Sequence, residues 1–106
     1  MARAPGAEPI DGAELLILES LVDGPKHGYV LATDIARRNG RRLGPGTLYA
    51  ALVRLEVRGL IRGLAAEDRR RPYELTDQGR QALEARLREL ARFSASGLDR
   101  LAAKTP

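Results

Sequence analysis

Glycines at positions 24, 40 and 59, the first followed by Pro25, cut the amino-terminal sixty residues into three short segments. Each segment carries leucine or isoleucine at helical spacing, and each ends at a residue that suits a helix stop. A chain punctuated in this way cannot build one long helix early on. It must pack short helices against one another.

The first segment, DGAELLILESLVDGP, can be capped by Asp11, and Leu15, Leu18 and Leu21 or Val22 follow one face. Leu16 and Ile17 make it apolar on more than one side, which predicts one face in the core and another against a partner. The second helix is predicted from about Gly28 to Arg38, with Leu31 and Ile35 one turn apart. The third runs from Pro45 to about Arg58 on the apolar stripe Leu48, Leu52 and Leu55.

Beyond Gly59 the pattern changes. Ile61, Leu64, Tyr73 and Leu75 predict two short strands joined by a basic turn at Glu67 to Arg71. Gly63 and Pro72 suit edge positions or bulges better than a central strand. Thr76 can then cap a long helix reaching about Ala103, with Leu83, Leu87, Leu90 and Leu101 on a seam that Ser94 and Gly97 complete. A helix this long cannot bury itself on so small a domain, so part of it should pack against another chain. Gly97 costs about 1 kcal/mol relative to alanine inside a helix, which predicts a close approach or a kink there. The chain thus divides into a loose tail at residues 1–10, one domain at 11–76 and a dimerisation helix at 77–106. The fold class expected is mainly α with a small β-hairpin.

Helix, helix, helix, hairpin is the order of a winged helix-turn-helix, whose third helix enters a DNA major groove while the hairpin touches the neighbouring backbone. The stretch GPGTLYAAL fits that role. Gly44 can cap and Pro45 suits the first turn, while Gly46 and Ala50 keep bulk away from an approaching phosphate. With the leucines inward, Thr47, Ala50, Arg54 and, further round, Val57 point outward, and Tyr49 lies at the margin. Arg54 is the outward side chain best suited to a base edge or a phosphate, and Thr47 to a phosphate or a thymine methyl. Arg69, Arg70 and Arg71 at the turn suit phosphate or minor-groove contacts.

Charge points the same way. The chain carries +4, yet residues 37–73 hold ten arginines against Glu56, Glu67 and Asp68, a local excess of +7. A basic middle between mildly acidic ends favours a polyanion. An anionic membrane surface would instead need the basic residues gathered on one amphipathic helix. With no cysteine, disulfides, thiolate metal sites and cysteine nucleophiles are excluded. His27, the one histidine, reads as a cap or packing residue, and GPGT lacks the lysine of a phosphate loop. No enzyme activity, metal or cofactor is expected. The short polar start has no leader pattern, and a chain 30% charged offers no membrane span, so a cytoplasmic protein is expected.

HGYVL, GPGTLYAALVRLEVRGLI and RRRPYELTDQGRQAL, in that order and spacing, resemble the PadR family of winged-helix transcriptional regulators over about residues 13 to 90. A single helix after the wing is similar to its small PadR-like subfamily. The resemblance implies a homodimer held by the first and last helices, repressing promoters by binding inverted repeats. It places the recognition motif on Gly46, Thr47, Leu48 and Tyr49 and the wing on Glu67 to Tyr73. Where the family often has serine, proline and a strand residue, this chain has Gly44, Ala50 and Pro72. It also lacks the tryptophan on which some small members stack flat drugs. DNA-contacting residues are therefore expected at Pro45, Gly46, Thr47, Tyr49, Ala50, Arg54, Arg69, Arg70 and Arg71. The dimer interface is expected at Leu15, Leu16, Leu18, Leu83, Leu87, Leu90, Phe93 and Leu101. The partners expected are double-stranded DNA and a second copy of the chain, with a small-molecule effector of unknown identity left open. The alternative is a winged-helix module that binds protein and not DNA.

Overall fold

Asp11 opens the first helix, α1 (Gly12–Ser20), through a reciprocal cap. Its carboxylate accepts from the Glu14 N–H at 2.7 Å, and Glu14 Oε1 accepts from the Asp11 N–H at 3.1 Å. In the computed structural model, which describes residues 9–66 and 70–104, α1 runs on into a 3-10 turn at Leu21–Asp23. A two-residue strand, β1 (Lys26–His27), follows, then α2 (Gly28–Asn39) and α3 (Pro45–Val57). Strands β2 (Ile61–Gly63) and β3 (Pro72–Leu75) lead to the last helix, α4 (Asp77–Lys104). Gly40 and Gly59 stop α2 and α3 with φ of 66° and 75°, backbone that a side chain would strain.

Ile17 and Leu18 of α1, Leu31 and Ile35 of α2, and Leu52 and Leu55 of α3 meet in one core, closed below by Leu60 and Ile61. Each such side chain is worth about 1.5–3 kcal/mol on burial. Three expectations change here. Ile10 is buried in this core, so the loose tail ends before it. Leu18 and Leu83 are buried within the single chain, which makes them core residues and removes them from the dimer face. Apolar periodicity marks a face to be covered, and in these two cases the chain covers it itself.

The sheet has the order β1-β3-β2, all antiparallel, with Lys26 opposite Tyr73 and Ile61 opposite Leu75. The strand that starts at Pro72 is therefore central, contrary to the edge position expected. Proline is tolerated because it occupies the first residue of the strand, where a missing donor interrupts little, while its carbonyl accepts from the Leu64 N–H at 2.8 Å. Arg62 and Glu74 face each other across β2 and β3, with Nε 2.9 Å from the carboxylate.

Among the described residues α4 is anchored at its beginning. Thr76 caps it, its hydroxyl accepting from the Gly79 N–H at 3.0 Å and donating to the Gly59 carbonyl at 2.7 Å. A Cβ on Gly79 would fall on the carbonyl oxygen of Leu60 and lie 2.9 Å from Leu75 Cδ1, so helix backbone and the link from α3 to β2 touch directly there. From Ala91 to Lys104 every residue is exposed. Gly97 lies in this stretch with open space around a would-be Cβ, so among the described residues nothing makes the close approach expected there, and the helix runs on through it.

One buried polar contact locks α1 to α2. Ser20, almost fully buried, donates to Asp34 at 2.6 Å. That hydrogen bond, with Arg38 and Lys26 nearby, holds the Asp34 carboxyl below the usual carboxylate range against the opposing cost of burial.

Candidate nucleic-acid interface

α3 begins without a side-chain cap. Gly44 is the capping residue, Pro45 has no N–H to satisfy, and the amino-terminal Pro45, Gly46 and Thr47 are exposed. The helix buries Leu48, Ala51, Leu52 and Leu55. The opposite stripe is Gly46, Ala50, Val53 and Val57, at steps of four, three and four residues. Val53 and Val57 are 60% and 83% exposed. Val53 was not anticipated, although it continues the series from Gly46 and Ala50 that defines the outward face.

Tyr49 flanks this stripe on the α2 side. A Cβ at Gly28 would come 2.7 Å from its hydroxyl, so glycine at the start of α2 is what lets the ring lie there. Tyr49, His27, Gly28, Tyr29, Arg70, Arg71 and Tyr73 line a cleft of about 340 Å³ between the amino ends of α2 and α3 and the wing. His27 is the capping residue of α2 but makes no side-chain cap, and its Nδ1 is buried without a hydrogen-bond partner. The amino end of a helix favours negative charge. Three tyrosines and two arginines around it make the cleft suited to a phosphate.

Many of the arginines that make the middle segment basic are already engaged. Arg54 Nη2 lies 3.1 Å from Asp11 and its Nε 3.9 Å from Glu14, while Arg58 is 3.4 Å from Glu14. Arg38 pairs with Asp34, Arg62 with Glu74, and Arg71 with Glu56 at 3.1 Å, with its guanidinium 5.9 Å over the Tyr73 ring. Among the described residues Arg37, Arg41, Arg42 and Arg70 make no ion pair, and all four are exposed. Arg69 lies outside the described residues.

This revises the role expected for Arg54. Its side chain is drawn sideways to the cap of α1 and away from the outward stripe, because Asp11 and Glu14, forty-three and forty positions earlier, come to rest beside it. Arg54→Ala is accordingly expected to lower stability by up to about 1 kcal/mol, since a half-exposed pair is worth no more. Base preference should stay unchanged. Thermal unfolding and competition binding with substituted duplexes measure both effects, and a relaxed base preference would return Arg54 to the reading face. Arg71 is likewise a strap from the wing to α3 as well as a wall of the cleft.

The residues expected at the dimer face divide in a similar way. Leu15 and Leu16 are half-buried against the core. Leu87, Phe93 and Leu101 are exposed on α4 and Leu90 is half-buried. Leu98, 64% exposed, joins them and was missed, although it follows Ser94 by four residues on the same seam. Among the described residues no cluster of three or more His, Asp or Glu side chains is placed to hold a metal ion, and no helix is long and apolar enough to cross a membrane.

Residues 17–85 match the transcriptional regulator PadR-like family. An uncharacterised 37.1 kDa protein in a transposon of Streptomyces fradiae is 48% identical over 82 residues, covering 77% of this chain. This chain spans only 24% of that protein's length. The transcriptional regulator Rv3488 of Mycobacterium tuberculosis is 41% identical over 92 residues, covering 78% of this chain and 82% of its own. A PadR family transcription regulator from Clostridium difficile superposes with a TM-score of 0.75 at 28% identity, covering 87% of this chain and 99% of that one.

Proposed function

This chain belongs to the PadR-like family of transcriptional regulators, and on that premise we propose that it acts as a homodimer that binds double-stranded DNA and represses transcription. The two α3 helices would enter successive major grooves of a near-palindromic operator, about 34 to 36 Å apart. The observation that carries the reading is the bare amino end of α3 beside the cleft of Tyr49, Arg70 and the start of α2. The exposed stripe lets the helix approach the bases, and the cleft can take a backbone phosphate. α1 and the exposed half of α4 would form the dimer interface through Leu15, Leu16, Leu87, Leu90, Phe93 and Leu101.

The ion pairs set the salt dependence. Among the described residues of the basic segment four arginines per protomer make no ion pair, and these alone give a dimer a slope of log affinity against log salt of about −7. All ten in the basic segment would allow about −18. Fluorescence anisotropy on duplex DNA from upstream of the gene, repeated across salt concentrations, tests this. Affinity indifferent to salt would remove the DNA reading. Val53 and Val57 are the one observation favouring a protein partner instead, because exposed apolar side chains also suit protein interfaces.

A further inference from the structure

We propose that the outward stripe of α3 recognises the 5-methyl groups of thymine, and that this protein chooses its DNA sequence by apolar contact from Val53 and Val57. The proposal rests on the DNA-binding reading above and specifies what that reading leaves open.

Gly46, Ala50, Val53 and Val57 form the face opposite the buried leucines, and none of them can donate or accept a side-chain hydrogen bond. Of the flanking side chains that could do so, two are turned aside and Thr47, in the first turn, stays exposed. Arg54 goes to Asp11 at 3.1 Å, and Tyr49 packs its hydroxyl against Gly28. Beyond Thr47, what is left to meet a base edge is aliphatic. In the major groove the thymine methyl is the group that apolar side chains contact, whereas every other feature of the base edges is a donor or an acceptor.

The two valines are not explained by the helix itself. β-Branched residues at exposed positions of a helix lower its stability slightly compared with alanine, lysine or glutamate. They contribute nothing to the core either, being 60% and 83% exposed. Their surroundings suit a polyanion, with Arg70 and Arg71 in the cleft on one side, Arg37 exposed at the end of α2 and Arg41 and Arg42 exposed in the link into α3. Gly46 and Ala50 supply the remaining condition, since bulk in the first turns would hold the valines off the groove floor. From Ala50 to Val57 the helix rises about 10 Å. That matches about three base-pair steps of 3.4 Å, so each half-site should contain a thymine-bearing window of about that length.

The test begins with the full-length protein and duplexes selected from a random pool. In the recovered duplex each thymine is replaced in turn by uracil, which removes the methyl and keeps every hydrogen-bonding group. Affinity is expected to fall about fourfold for one contacted methyl and about fifteenfold when the symmetric pair in both half-sites is replaced. With Val53→Ala or Val57→Ala, one of those positions should lose its preference for thymine, the uracil effect shrinking below twofold while other positions keep theirs. Both side chains are exposed, so unchanged thermal unfolding will confirm that each variant is folded. Uracil duplexes that bind as tightly as the parent would overturn the proposal, as would a uracil effect of full size in both variants. A pool that yields no duplex would instead remove the DNA reading itself and leave the valine stripe to a protein partner.

Discussion

Gly79→Ala is expected to cost about 3 kcal/mol of stability, at the upper end of what forced overpacking does. The added methyl would stand on the Leu60 carbonyl oxygen, and neither side can give way. The carbonyl is pinned by the Thr76 N–H at 3.2 Å, and Thr76 is itself held by the Gly59 carbonyl through its hydroxyl. Moving α4 outward would break its cap and open the core at Leu83. Against a total stability of about 5–15 kcal/mol this is a large loss, equivalent to a fall of more than about 10 °C in Tm. Urea and thermal unfolding measure it directly. A loss under about 1 kcal/mol would mean that the start of α4 is not seated against Leu60 as described.

The second large effect concerns assembly. If the proposed dimer forms through α4, Leu98→Glu combined with Leu101→Glu is expected to leave the protein monomeric, weakening association at least about a thousandfold. α4 is about 42 Å long at 1.5 Å per residue, and among the described residues its first turns are the part that packs on the core, while 91–104 are exposed. The seam Leu87, Leu90, Ser94, Leu98 and Leu101 repeats at steps of three or four residues, the spacing of a helix packed along another helix. Burying one leucine is worth about 1.5–3 kcal/mol, and two per chain are lost from a two-fold interface while four like charges are brought together. Because both side chains are exposed in the protomer, its circular dichroism should be preserved. Sedimentation velocity reads the outcome. A variant that stays dimeric at micromolar concentration would place the interface elsewhere, and loss of DNA affinity along with the dimer would join this result to the operator geometry.

Where the sequence could be read, local chemistry was responsible. Gly40 and Gly59 stop helices by their own backbone preference, Gly44 and Pro45 start one, and Thr76 caps another within three residues of its partner. All of those depend on neighbours along the chain. What escaped depends on distant ones. β1 is two residues long, too short to show alternation, and exists only because β3 lies beside it. Pro72 argued for an edge strand, yet its strand is central because a third strand arrived from between α1 and α2. Leu18 and Leu83 carry the same apolar signal as Leu87 and Leu101, and nothing in a periodic pattern says whether the chain or its partner supplies the covering surface. Arg54 looked outward on the helical wheel, which it is, but its carboxylate partners lie forty-three and forty positions away. Val53 was legible and overlooked, since an aliphatic residue on an outward face invites less attention than a charge.

The link between Glu14 and Arg58 has a mechanical consequence. Both side chains are largely sheltered, and with Asp11 and Arg54 beside them they fasten the beginning of α1 to the far end of α3. Leaving either buried charge without its mate is costly, so the two helices cannot slide independently. They behave as one lever with its fulcrum in the core. In a dimer joined through α1, any re-seating of that helix against its mate would swing both α3 tips and alter the gap between them. On the proposed dimer, the distance spanned on DNA would then be adjustable from a surface that never meets a nucleotide.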